Sequence, residues 1–193
     1  MLNIATLIFI GYLQTATISS SPDKEASSHF EMNNDLNQLK KYAAYNTWAN
    51  QQLVQWLSTA DSAQWHKEIN SSFNTLDLTL RHLWNAEHGW LCALKDIPWE
   101  SAIDRGEVMP KEQMLREFAQ TTNKFQHFVE SMTDAQFKEM RKLGKEDKSV
   151  TLADIVLHVF NHATYHRGQL ITMGRQVGLS SPPRTDFIHY ISQ

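Results

Sequence analysis

The chain has 193 residues, a length that favours a single domain able to bury roughly 70% of the surface of its unfolded chain. Its net charge is −3, with acidic and basic residues interleaved. This pattern gives no electrostatic footprint for nucleic acid, so we expect no nucleic-acid partner. Cys92 is the only cysteine, which excludes an intramolecular disulfide and a sulfur-rich metal site. Seven glycines and five prolines are few for this length and indicate a predominantly helical fold.

Residues 1–34 are predicted to form a non-globular leader, separate from a domain at 35–193. Residues 4–13 are an apolar run, IATLIFIGYL, like the core of a signal peptide. The run is too short to span a membrane, no basic residue precedes it, and no clear cleavage site follows. Residues 22–34 are polar and predicted to be disordered. We expect no membrane span and a cytoplasmic protein; the alternatives are export and a true start at Met32.

Four long amphipathic helices are predicted, because apolar residues recur at steps of three and four. They cover about 35–57, 75–95, 111–131 and 151–177. Ser72 or Asn74 is the candidate N-cap of the second helix, and Ser149 or Thr151 that of the last. Gly178 is a suitable C-terminal stop for the last helix.

The segments between these helices are long. One short helical turn is expected near 63–67, and 96–110 is predicted to be a loop. Thr133 begins a capping box that predicts a short helix to about Lys142, followed by a charged loop at 144–150. In the tail, apolar residues are expected to pack back across the helices: Phe187, Ile188, Tyr190 and Ile191. The predicted fold is therefore all-α, a four-helix bundle with a short extra helix and long inter-helix connections.

The last long helix carries His158, His162 and His166 at successive four-residue steps. Side chains four residues apart share a helix face, with Cβ atoms about 5–6 Å apart. Two such imidazoles can converge on one ion, since Zn–N bonds are about 2.0–2.1 Å long. His82, which lies among apolar neighbours in the second long helix, is the best candidate for a third ligand. Spacing alone leaves open which histidines take part, and whether they are instead hydrogen-bonded core residues.

The wider sequence around these histidines resembles the DinB-like superfamily of damage-inducible metalloproteins, which are four-helix bundles. The resemblance is carried by YAAYNTWANQQLVQWL, TLRHLWNAEHGWL and HVFNHATYHRGQL in three of the helices, with PPRTDFIHY following. It covers about 36–190, and N-H-x-x-Y-H-R-G-Q is its most specific motif. It implies a metal triad of His82, His162 and His166, with His158 as a neighbour one turn away.

The resemblance also implies a function. The expected cofactor is a divalent ion, Zn²⁺ or Ni²⁺, in a metal-dependent hydrolase or a thiol-dependent S-transferase that acts on a small molecule, with a low-molecular-weight thiol as co-substrate. One alternative is a non-catalytic metal-binding or small-molecule-binding protein of the stress response. Another alternative is a structural metal ion that only stabilises the bundle. Helical bundles often dimerise through an apolar face, so a homodimer is expected.

The supporting residues are less defined by the sequence. Glu87 is a candidate general base, although a solvent-facing charge is the simpler interpretation. Tyr165 is a candidate hydrogen-bond partner for a substrate, or else an amphipathic residue at the rim. Arg167 is expected in a structural ion pair rather than in substrate binding. Gly168 is expected to allow close helix approach, and Gln169 to make a buried hydrogen bond.

Overall fold

The computed structural model describes residues 22–99, 108–143 and 148–193, with side chains described from residue 36 onward. Its elements are α1 (Pro22–Leu57), α2 (Ser62–Trp65), α3 (Leu76–Leu94), α4 (Lys111–Ser131), α5 (Asp134–Phe137), β1 (Met140–Lys142), β2 (Ser149–Thr151), α6 (Leu152–Gln176) and α7 (Phe187–Ile191). The four long helices are α1, α3, α4 and α6. The predicted all-α fold is confirmed.

The four long helices pack side by side as a bundle. α1 lies against α4 and α6, and α3 lies against the same two helices. Each long helix therefore has two neighbours, and the facing pair α3 and α6 brings together the helices that carry the candidate ligands. No helix within the described ranges is long and apolar enough to cross a membrane.

The interior contains two apolar clusters, and buried polar side chains from all four long helices meet near their boundary. One cluster includes Leu53, Leu83, Phe118 and Leu170. The other includes Ala43, Leu91, Phe125 and Phe160. We call the intervening buried residues the polar layer: Asn46, Asn50, Glu87, Thr122 and Arg167. Because the layer draws on all four helices, it links them at a common level of the bundle.

The helix starts differ from the predictions in two places. α1 begins at Pro22, earlier than the predicted start near 35, so the prediction of a disordered 22–34 is wrong. Proline fits the first turn of a helix, and no glycine or further proline follows it in α1. Residues 1–21 of the predicted leader lie outside the described ranges. Thr75, rather than Ser72 or Asn74, caps α3, because its side chain accepts a hydrogen bond from the Leu78 amide.

A small hairpin replaces the predicted helix end near Lys142. α5 ends at Phe137, and β1 pairs antiparallel with β2. This pairing satisfies backbone groups next to the start of α6. The capping box at Thr133 and the cap at Thr151 are confirmed, and Gly178, at φ +93°, follows the end of α6 as predicted.

The tail packs back against α1 through its aromatic residues. The Phe187 ring stacks on Tyr42 with centroids 4.5 Å apart, and Tyr190 lies 5.5 Å from Trp48. Ile188 is exposed, as is Ile191, so these two do not pack inward. The prediction for the tail is therefore right for its aromatic residues and wrong for its isoleucines.

Candidate metal centre

Three histidines from α3 and α6 form a cluster at the interface of these helices. One ligand nitrogen from each of His82, His162 and His166 lies within 4.8 Å of the other two. The Nε2 atoms of His82 and His162 are 3.0 Å apart. Two nitrogens bound to one zinc ion at about 2.0–2.1 Å in tetrahedral geometry lie about 3.3 Å apart. The cluster therefore fits one small ion after slight rotation of the rings.

The orientation of His166 is fixed by Gln169, one turn further along α6. The His166 Nδ1 atom lies 2.7 Å from the Gln169 Oε1 atom, an amide oxygen that can only accept a hydrogen bond. Nδ1 therefore carries the proton, and the lone pair of a neutral ring is on Nε2. The predicted buried hydrogen bond of Gln169 is thus to a candidate ligand, and it prepares that ring for metal binding.

Burial favours the neutral imidazoles that a metal site requires. Burial, together with the nearby His166, His82 and His158, lowers the pKa of His162 to about 4. Burial and His166 also lower the pKa of His82. The pKa of His166 is lowered by burial, against the opposing hydrogen bond with Gln169. All three rings are therefore neutral at pH 7, with lone pairs available to an ion.

His158 lies beside the cluster and outside it. Its ring packs edge-on against Trp90, with centroids 4.8 Å apart, and lies 5.8 Å from the His162 ring. On the other side of the site, Phe73 stacks on His82 with centroids 4.2 Å apart. The candidate donor set is therefore three imidazoles flanked by aromatic side chains. A site with three protein nitrogens keeps a coordination position open, as catalytic zinc sites do.

Comparison with known proteins identifies the family. The DinB family model matches residues 32–193. The chain belongs to the DinB family. Protein DinB of Bacillus subtilis strain 168 is 30% identical over 159 residues, which is 78% of this chain and 92% of that protein. The sequence resemblance described above is therefore confirmed.

Solved structures show the same fold. A DinB-like protein from Bacillus subtilis superposes with a TM-score of 0.60 at 14% identity, covering 77% of this chain and 98% of that one. A DinB-like protein from Bacillus cereus also gives a TM-score of 0.60, at 18% identity, covering 73% of this chain and 91% of that one. This DinB-family chain is thus a helical bundle with a three-histidine cluster that can hold a metal ion.

Behind the triad, Arg167 anchors α6 of the DinB bundle to α1. Its Nη1 atom donates to the Oδ1 atoms of Asn46 at 2.6 Å and Asn50 at 2.9 Å. Its Nη2 atom donates to Thr164 Oγ1 at 2.9 Å. The guanidinium also lies over the Tyr45 ring, 5.6 Å from its centroid. The prediction of a structural role is supported, but these hydrogen bonds go to neutral oxygens rather than to an ion-pair partner.

Sequence reasoning missed the two asparagines. Asn46 and Asn50 are one turn apart and occupy positions that continue the buried stripe through Ala43 and Leu53. Polar amides in an otherwise apolar stripe were the available signal, because buried polar groups need partners. The complementary arginine on α6 was visible too, although nothing in the sequence pairs the two helices.

Glu87 belongs to the polar layer and does not face solvent, so the simpler interpretation from sequence is wrong. Its side chain is 2% exposed, and its Oε2 atom accepts a hydrogen bond from Asn50 Nδ2 at 3.3 Å. Asn50 Nδ2 also donates to Thr122 Oγ1 at 2.9 Å. Burial raises the pKa of the Glu87 carboxyl to about 7, against opposing effects of Thr122, Arg167 and Asn50.

Two glycines of α6 have opposite surroundings. A β-carbon added to Gly174 would lie 2.3 Å from the Trp56 ring, whereas one added to Gly168 would meet nothing within 4 Å. Gly174 therefore allows the close approach of α1 and α6 that had been predicted for Gly168. The Trp56 indole nitrogen, in turn, donates to the Ser180 carbonyl at 2.7 Å.

Tyr165 lies at the rim of the triad and is 60% exposed. Its hydroxyl accepts a hydrogen bond from Gln169 Nε2 at 3.1 Å, and its ring is 5.0 Å from that of His166. Gln169 thus joins the candidate ligand His166 to an exposed hydroxyl. Of the two candidate catalytic side chains, Tyr165 is the one that borders the triad.

Proposed function

We propose that this chain is a divalent-metal-dependent enzyme, either a hydrolase or a thiol-dependent S-transferase. His82, His162 and His166 would hold the ion, which we propose to be Zn²⁺ or Ni²⁺. The observation that carries the proposal is the convergence of three neutral imidazoles from two facing helices, within 4.8 Å of one another. Such an ion supplies Lewis-acid chemistry, lowering the pKa of a bound water or thiol.

The protein's own residues prepare and border this site. Gln169 accepts the His166 Nδ1 proton and so directs the Nε2 lone pair toward the cluster. Tyr165, held by the other end of the same amide, is the proposed hydrogen-bond partner of a substrate. Glu87 is proposed to balance charge in the polar layer, since its contacts are with Asn50 and Thr122 and favour this role over that of general base.

The test compares protein loaded with zinc or nickel, stripped by a chelator, and reloaded. Each form is assayed for hydrolysis of p-nitrophenyl esters and for transfer of a small thiol to 1-chloro-2,4-dinitrobenzene. We expect turnover in one assay, its loss on chelation and its recovery on reloading, with an unchanged helical circular dichroism spectrum.

Two other results would contradict the proposal. Stoichiometric metal without turnover in either assay would indicate a non-catalytic metal-binding or small-molecule-binding protein of the stress response. Loss of helical structure on chelation would indicate an ion that staples the bundle, because binding energy at a structural site is folding energy.

A further inference from the structure

A cleft adjoins the triad along α6, between that helix and the segment that precedes α3. It has a volume of about 440 Å³, within the range of about 300–1,000 Å³ typical of small-molecule sites. Tyr165 and Gln169 belong to both the cleft and the surroundings of the triad, since Gln169 contacts His166. A molecule in the cleft would therefore lie next to a candidate metal ligand.

Six of the nine residues that line this cleft have hydrogen-bonding side chains, and none of the nine is charged. Its hydrogen-bonding residues are Asn70, Ser71, Tyr165, Gln169, Thr172 and Gln176. Three other clefts on the described surface each include charged residues: one has Arg141, another Lys111 and a third Arg116. The cleft beside the triad therefore provides amide and hydroxyl groups, but no cation that would pair with a carboxylate or phosphate.

Gly168 forms an open part of this lining. Glycine in the interior of a helix destabilises the helix relative to alanine. In α6 that cost is explained for Gly174 by the Trp56 ring, but the space above Gly168 is empty to 4 Å. The open space above Gly168 lies in the cleft, so the absence of a side chain there leaves room for a ligand.

We propose that this cleft binds an uncharged portion of the substrate, rich in hydroxyl or amide groups, over Gly168. The inference rests on the proposed function for its setting, since the reacting group would lie at the triad. A neutral group over Gly168 exchanges hydrogen bonds with water for hydrogen bonds with the cleft. A carboxylate at that position would lose hydration without gaining a cation from the cleft lining. The cleft thus selects the substrate by charge.

A matched pair of probes tests this selection. N-acetylcysteine amide is neutral, and N-acetylcysteine differs from it by one carboxylate. Binding of each to the metal-free protein, in which no ion at the triad can attract the carboxylate, is measured by saturation-transfer NMR. We expect the amide to bind more tightly by on the order of tenfold, and Gly168→Leu to abolish this preference because its side chain fills the cleft. Equal binding of the two probes to the wild type, or an unchanged preference in Gly168→Leu, would overturn the proposal.

A second variant keeps the test decisive if Gly168→Leu folds poorly. Thr172→Lys adds a cation to the cleft and should shift the preference toward N-acetylcysteine. The matched control, Gln120→Lys, adds the same charge at an exposed position on α4 and should leave the preference unchanged. Equal shifts in both variants, or no shift in Thr172→Lys, would overturn the proposal.

The S-methyl derivatives of the two probes separate this inference from the proposed function. They cannot form a thiolate, so they report the cleft without metal ligation. Preference for the neutral S-methyl amide, lost in Gly168→Leu, supports the cleft even if no thiol binds the ion. Thiol binding to the ion without any effect of probe charge or of Gly168 supports the metal chemistry and rejects the cleft.

Discussion

Two neighbouring residues of α6, His166 and Arg167, lie in two contrasting regions: the histidine triad and the polar layer. His166 belongs to the triad, where one ligand nitrogen from each of three imidazoles lies within 4.8 Å of the other two. Arg167 enters the polar layer, where its donors are taken up by Asn46, Asn50 and Thr164. In the first region ring nitrogens converge on one point, whereas in the second the guanidinium donors are held by neighbouring side chains. α6 is therefore fixed to α1 on one side and presents its candidate metal ligands to α3 on the other.

Removing the anchor should have the largest effect. Arg167→Met leaves the Oδ1 atoms of Asn46 and Asn50 without their donor and the Glu87 carboxyl without a nearby cation. Breaking such a buried charged network costs about 3–5 kcal/mol, measured as the free energy of unfolding in urea. Arg175→Met, at an exposed position of the same helix, is the control and should change stability by less than about 0.5 kcal/mol. Equal losses of stability in Arg167→Met and Arg175→Met would contradict the anchoring role of Arg167.

The two regions should respond to pH with opposite signs in metal-free protein. The pKa of Glu87 rises from 4.5 to about 7 on folding. The unfolded chain therefore releases this proton at lower pH, and the free energy of unfolding falls as pH rises from 4.5 to 7. At about 1.4 kcal/mol per pKa unit, this amounts to about 3 kcal/mol. Glu87→Gln should lose this component in urea titrations between pH 4 and 8; an identical slope in both proteins would contradict it.

His162 supplies the opposite slope. Its pKa falls from 6.5 to about 4 on folding, so the unfolded chain binds this proton first. Stability from this residue is present above pH 6.5 and is lost as pH falls toward 4. In the same urea titrations, His162→Gln should flatten the acid-side loss. A steeper loss in the variant would show that the ring is not held neutral.

Loosening one ligand should weaken the metal site without weakening the anchor. Gln169→Ala removes the acceptor of the His166 Nδ1 proton, and loss of such an outer partner typically lowers metal affinity by about 10–100-fold. Competition with a chromophoric zinc chelator measures the affinity, and urea denaturation of the metal-free protein should show little change. Unchanged affinity would mean that His166 needs no orienting partner.

The two glycines of α6 should also give effects of opposite signs. Gly174→Ala forces its β-carbon against Trp56 and should destabilise the fold by about 1–3 kcal/mol, as overpacking does. Gly168→Ala meets no neighbour and should stabilise it by about 0.4–1 kcal/mol. Thermal unfolding of the two variants measures the difference. Similar shifts would mean that the α1 and cleft faces are packed alike.

The sequence predicts most of the bundle because apolar spacing and caps act locally. α4 has the predicted bounds. Thr133 and Thr151 cap the starts of α5 and α6, and Gly178 follows the end of α6, as predicted. The hairpin was missed because its three-residue strands leave no readable alternation, and their pairing depends on where α6 begins. The start of α1 was missed because a polar helix extension lacks an apolar stripe.

The site depends on which helices face each other, and this is not encoded locally. His158 and His162 each lie four residues from another histidine, so spacing does not distinguish them. The way α3 crosses α6 places His82 beside His162, whereas His158 packs against Trp90. Glu87 lies in a helix with both buried and exposed faces, and its burial follows from the asparagines of α1. Local spacing therefore identifies candidate ligands, and the packing of the helices determines which of the candidates lie close together.

Elemental analysis of the purified wild type and four histidine variants tests the central claim most directly. The account predicts a stoichiometric divalent ion in the wild type and in His158→Ala. It predicts loss of that ion in His82→Ala, His162→Ala and His166→Ala, with folding verified by circular dichroism. Stoichiometric metal in all three triad variants, or its loss in His158→Ala alone, would contradict the account.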